Sequence, residues 1–95
     1  MNFNEALFHP KFRKDLKSLP KEFIPKVEET IDSICKSPFS CDKLKGELSD
    51  IYRAKIFFKN NEYRLAFTIQ NNSIVFIMIA KRESFYETLK RRFAK

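Results

Sequence analysis

Glycine occurs once in 95 residues, tryptophan not at all, histidine once and cysteine twice. With only four prolines besides, the chain has no low-complexity or disordered stretch, and no apolar run approaches the roughly 20 residues of a membrane helix. The N-terminus lacks the charged segment, apolar run and small-residue site of a signal peptide, so the expected location is cytoplasmic, away from any membrane. Cys35 and Cys41 match no usual zinc spacing and read as free structural thiols of a reducing compartment. There is no Gly-rich phosphate loop, no HExxH, no CxxC and no carboxylate pair of recognisable spacing. The sequence thus carries no signature of a metal, organic cofactor or small-molecule substrate site. The lone histidine, His9, stands just before Pro10 at a helix start, where a cap or surface role outweighs catalysis.

What is present is apolar bulk and positive charge. Eleven phenylalanines and 43% hydrophobic residues can fill the core of one domain spanning 1–95, without staples. The net charge of +7 is one-sided. Residues 1–42 carry seven Lys/Arg against seven Asp/Glu, whereas residues 43–95 carry twelve against five. A basic half of this kind attracts polyanions, chiefly nucleic acid, or an acidic protein partner.

Residues 3–8 read as a short first strand. Pro10 suits a first helical turn, and Phe8, Phe12, Leu16 and Leu19 recur at helical spacing until Leu19-Pro20 interrupts them. A second helix over about 21–36 turns Ile24, Val27, Ile31 and Ile34 inward, and so short a connection predicts an antiparallel helical hairpin. Ser37-Pro38 ends it, and the stretch to Asp50 reads as a loop holding Gly46.

Two hairpins follow. A turn at Asn60-Asn61 sets Phe58 opposite Tyr63, Ile56 opposite Leu65 and Ala54 opposite Phe67. A turn at Asn71-Asn72 sets Ile69 opposite Ile74, Phe67 opposite Phe76 and Leu65 opposite Met78. Val75, Ile77 and Ile79 then share the other face of the last strand, which is central and buried on much of both sides. A charged helix from about Ser84 to Phe93 closes the chain. The expected class is α+β, ordered β-α-α-β-β-β-α, with the helical hairpin on one face of a small antiparallel sheet and the other face partly open.

That open face carries Arg53, Lys55 and Arg64. Arg82 and Tyr86 follow the last strand. Arginines grip a phosphate bidentately and stabilise charge developing during phosphoryl transfer, while lysine and tyrosine move protons. Such a set either cleaves RNA through its own 2′-hydroxyl or only binds phosphate. Strict alternation along the last strand, however, puts Lys81 rather than Arg82 on the face of Arg64, and Arg82 joins only if the strand ends or bulges near Ala80.

Leu44-Lys45-Gly46, Tyr52-Arg53-Ala54-Lys55, Tyr63-Arg64-Leu65-Ala66-Phe67 and Lys81-Arg82-Glu83 with Tyr86 resemble, in order and spacing, the RelE/ParE toxin superfamily. The helical part from Phe12 through Leu19-Pro20-Lys21-Glu22 to Pro38 is similar too, so the likeness covers nearly the whole chain. It implies the toxin of a type II toxin–antitoxin pair. The basic set resembles the RelE branch, whose members are ribosome-dependent endoribonucleases that cut mRNA to a 2′,3′-cyclic phosphate without a metal. By that likeness Lys55, Arg64, Arg82 and Tyr86 are catalytic, and Arg53, Lys45 and Lys81 bind RNA. Lys55 takes part in proton transfer, Arg64 stabilises the scissile phosphate, Arg82 acts on the leaving group and Tyr86 orients or deprotonates the 2′-hydroxyl. The implied partners are the ribosome, mRNA and a cognate antitoxin that covers the basic face or displaces the C-terminal helix. The alternative is the ParE-type inhibitor of DNA gyrase.

Overall fold

Pro10 pre-sets the first turn of a helix, and His9 caps it by accepting the Lys11 backbone N–H at Nδ1, 3.1 Å away. The capping role expected for His9 is thus the one it has. The structure, a computed structural model, describes residues 5–93. Its elements are β1 (Glu5–Phe8), α1 (Pro10–Lys17), α2 (Ile24–Lys36), β2 (Asp42–Lys43), β3 (Tyr52–Phe58), β4 (Asn61–Gln70), β5 (Ser73–Lys81) and α3 (Phe85–Phe93). Residues 3 and 4 of the expected first strand lie outside the described residues. No described helix is long and apolar enough to cross a membrane.

The mixed α+β architecture is the expected one, with the strands ordered β1-β5-β4-β3-β2 in one sheet. Pairing is antiparallel from β2 to β5, while β1 lies parallel to β5, so the sheet is mixed at that edge. A parallel neighbour needs a crossover connection, which the two helices and the hairpins after them provide. The loop after α2 is more structured than expected. It contains the two-residue strand β2, and its glycine, Gly46, sits at φ +71, where a side chain would strain the backbone.

The first hairpin differs from expectation in its turn. Lys59 and Asn60, at φ 46 and 66, are the two turn residues, so Phe58 pairs with Asn61, Ile56 with Tyr63 and Ala54 with Leu65. Every partner moves by two residues, and because side chains alternate with period two, every face is kept. The register adopted stacks Tyr52 on Phe67 at 5.4 Å and lets Phe23 meet both Phe58 and Tyr63 at about 4.5 Å. Phe23 belongs to a tight 3-10 turn, Lys21–Phe23, that precedes α2 and is fully buried, whereas Ile24 is only half-buried.

The second hairpin turns at Asn71-Asn72 as expected and pairs Ile69 with Ile74 and Phe67 with Phe76. Beyond that pair β5 carries an extra residue, Ile77, and Ala66 pairs with Met78 and Leu65 with Ile79. This β-bulge reverses the facing of everything after it. Ile79 therefore joins Phe12, Val27, Ile31, Leu65 and Phe76 in the core under α1 and α2, while Met78 joins Ile77 on the front. The front has its own core where α3 lays Phe85 and Leu89 on Ala66, Ile77 and Met78, with Leu44, Leu48 and Ile51 alongside. Half of the front face is thus covered. The half nearer the β3–β4 hairpin stays open.

Candidate nucleic-acid interface

Alternation along β3 sends Tyr52, Ala54, Ile56 and Phe58 into the helix-covered core and leaves Arg53, Lys55 and Phe57 on the front. On β4 the front positions are Glu62 and Arg64, and Arg64 lies opposite both Lys55 and Ala80. Because of the bulge, Lys81 pairs with the back-facing Tyr63 and points away from this cluster. Arg82, the next residue, then falls on the side of Arg64. Lys81, expected to share the face of Arg53 and Lys55, does not.

The tight turn Arg82–Ser84 leads into α3 and places Tyr86 in its first turn. Arg53 Nη1 donates to the Tyr86 hydroxyl oxygen at 2.9 Å, and the Arg64 guanidinium carbon lies 5.8 Å from the centre of the Tyr86 ring. Tyr86 is thereby held between the two arginines. Two carboxylates that sequence reasoning missed complete the arrangement. Asp42 pairs with Arg53 across the β2–β3 register and accepts from its Nη2. Glu62, two residues before Arg64 on the same strand face, accepts from Arg64 Nε at 2.7 Å. The signal for Glu62 was the period of two alone, while Asp42 needed a strand too short to be read.

Burial works against the Arg53 charge, but hydrogen bonds to Asp42 and Tyr86 outweigh it, so its proton is held more tightly than usual. The Glu62 carboxyl is held below its ordinary range by the Arg64 hydrogen bond first; burial opposes this, and the charges of Arg64, Lys55 and Arg82 add to it. One carboxylate therefore feels Lys55, Arg64 and Arg82 together. On the other side of Tyr86 a cleft of about 560 Å³ is floored by Leu44 and Leu48 and walled by Asp42, Lys43, Lys45, Arg53, Tyr86 and Lys90. Lys45 belongs to this cleft, which neither Lys55 nor Arg82 lines, and Lys43 is a cation that sequence reasoning did not single out. Among the described residues, no three His, Cys, Asp or Glu side chains are grouped to hold a metal ion.

The geometry is thus a cationic half-face, with a tyrosine at its border and a basic cleft beside it. The family profile of the ParE-like toxin of type II bacterial toxin–antitoxin systems matches residues 7–90. This chain belongs to that family. It is a type II toxin of the RelE/ParE superfamily, as its sequence motifs implied. No curated protein matches it in sequence. Solved structures similar to this toxin include the free E. coli toxin RelE bearing two arginine-to-alanine changes, with TM-score 0.73 and 21% identity over 98% of this chain and 100% of that one. The RelBE2 toxin–antitoxin complex of Mycobacterium tuberculosis gives TM-score 0.72 and 23% identity over 82% and 96%. The RelB–RelE complex of Methanococcus jannaschii gives 0.61 and 26% over 86% and 96%. The likenesses below 25% identity speak for the shared fold.

Proposed function

We propose that this ParE-like toxin is a ribosome-dependent endoribonuclease of the RelE kind, which cuts mRNA by attack of the 2′-hydroxyl on the adjacent phosphorus. The observation that carries this reading is the gathering of Arg53, Lys55, Arg64, Arg82 and Tyr86 from β3, β4, the turn after β5 and α3 onto one half-face. Binding alone has no need of a tyrosine hydroxyl fixed at 2.9 Å by an arginine. In the proposed reaction Tyr86 or Lys55 takes the proton of the 2′-hydroxyl as its oxygen bonds to phosphorus. Arg64 compensates the charge growing on the non-bridging oxygens, and Arg82 the charge on the departing 5′-oxygen. The P–O5′ bond breaks, the 5′-oxygen takes up a proton from solvent, and a 2′,3′-cyclic phosphate remains. Arg53 keeps Tyr86 in place, and Lys45 with its cleft holds the flanking RNA backbone.

A cognate antitoxin is the expected protein partner, since the neighbours include RelB–RelE complexes. The end-group of the RNA product is the test. Toxin added to ribosomes programmed with an mRNA should leave a 2′,3′-cyclic phosphate, and one 2′-deoxy nucleotide at the cut should block cleavage there. A cut that survives the 2′-deoxy substitution contradicts the mechanism. The description of the matching family as ParE-like favours a second reading, inhibition of DNA gyrase. A supercoiling assay with the pure protein separates the two, and inhibition of gyrase with intact mRNA would establish the second.

A further inference from the structure

Phe57 is 59% exposed on the front of β3, on the same face as Lys55 and Arg53. Its neighbours in type behave differently. Phe8, Phe12, Phe23, Phe58, Phe67, Phe76, Phe85 and Phe93 each pack against another aromatic ring, whereas no described ring packs against Phe57. Its position is not loose, because Lys26 of α2 reaches around to donate to the Phe57 carbonyl and secures the end of the strand. Across the ladder stands Glu62, held by Arg64. Residues two apart on a strand are about 6.6 Å apart, so Phe57 stands roughly one extended nucleotide from Lys55.

An exposed aromatic face beside a row of cations is the combination that binds single-stranded nucleic acid, cations on the phosphates and ring against base. A protein partner would find Phe57 ringed by charge instead of by apolar surface, since the apolar core of the front face lies beneath α3. We propose that Phe57 is a stacking platform for one nucleobase of the bound RNA, adjacent to the phosphate held by Lys55 and Arg64. The proposal rests on the RNA reading of this face but not on cleavage.

The chain contains no tryptophan, so Phe57→Trp introduces a single indole at the proposed stack. Exposure of the site means the substitution leaves the core untouched. The probe is a short single-stranded RNA, 2′-O-methylated throughout so that it cannot be cut, titrated into wild-type, Phe57→Trp, Phe57→Leu and Phe57→Ala protein at low salt. Stacking predicts that the Phe57→Trp emission is quenched and its affinity kept, while Phe57→Ala and Phe57→Leu each weaken binding on the order of tenfold. The salt dependence should be unchanged in all four, because no charge is altered. Unquenched emission, wild-type affinity for Phe57→Ala or Phe57→Leu, or no binding of the RNA by wild-type protein would each overturn the proposal. Quenching by RNA together with mRNA left intact on ribosomes would instead sustain the stack and refute the nuclease reading.

Discussion

Arg64 is shared between Glu62, 2.7 Å from its Nε, and the ring of Tyr86 on the open side. The Glu62 charge therefore competes with any phosphate for the same guanidinium. Glu62→Gln should tighten RNA binding and steepen its salt dependence by about one unit in the slope of log K against log salt. Filter-binding titrations across salt concentrations would check this. The same substitution has an acid-side signature. The folded Glu62 value lies below the ordinary 4.5, so its contribution to stability is present above that value and is lost as the pH falls through the lower folded one. Urea unfolding between about pH 6 and pH 3 should then show a shallower acid loss for Glu62→Gln than for wild type. Tyr86 makes a different prediction. Tyr86→Phe keeps the ring beside Arg64 but removes the hydroxyl that Arg53 holds, so single-turnover cleavage on ribosomes should fall by about 10²- to 10⁴-fold while RNA affinity stays near wild type. Of these residues Arg53 and Arg64 were legible in the sequence because charge on an alternating strand has few uses, and Tyr86 through its place after Arg82 in the family pattern. Glu62 and Asp42 were not, because a carboxylate announces no partner until the register is known.

Among the elements, β5 and α3 decide the site. The expected three-strand pattern was readable from the alternation of large apolar residues, and a one-residue error in the first turn cost nothing because it moved every pair by two. A strand end or bulge near Ala80 was the condition for Arg82 to join, but the bulge's place at Ile77 was not readable: an unbroken run of apolar residues from Ile74 to Ala80 hides which one is extra. Yet it alone exchanges Lys81 for Arg82 on the front. Asp15 of α1 supports this region where β1 has ended, accepting the Ile79 backbone N–H at 3.1 Å and both Arg92 guanidinium nitrogens at 2.9 Å. The latch ties α3, and with it Tyr86, to the edge of the bulged strand. Arg92→Ala leaves the largely buried Asp15 without its cation and should cost about 1.5–3 kcal/mol. For a domain of this size that is a fall in Tm of roughly 10 °C, measurable by calorimetry. Asp15→Asn, which keeps an acceptor for Ile79, should cost less.

For the molecule as a whole, one sheet with an apolar core on each side explains how so short a chain carries both a rigid frame and a charged surface. The helical hairpin packs on the back and α3 covers part of the front, which leaves Lys55 and Arg64 on sheet that no helix covers. The asymmetry between the chain's halves was visible in the sequence, since the first 42 residues mostly build the back. That α3 forms a second core was not, because the stripe of Phe85 and Leu89 is short and its apolar partners are scattered over the loop and two strands. The activity proposed for this half-face, completed by Arg82 through the bulge, is the cutting of ribosome-bound mRNA. Primer extension on a reporter mRNA in a bacterial translation extract tests it most directly, with wild-type toxin, Arg82→Ala, Lys81→Ala and a ribosome-free control. Cuts should require ribosomes, vanish with Arg82→Ala and persist within a few-fold with Lys81→Ala. Intact mRNA with wild-type toxin, or cutting that depends on Lys81 and not on Arg82, would contradict it.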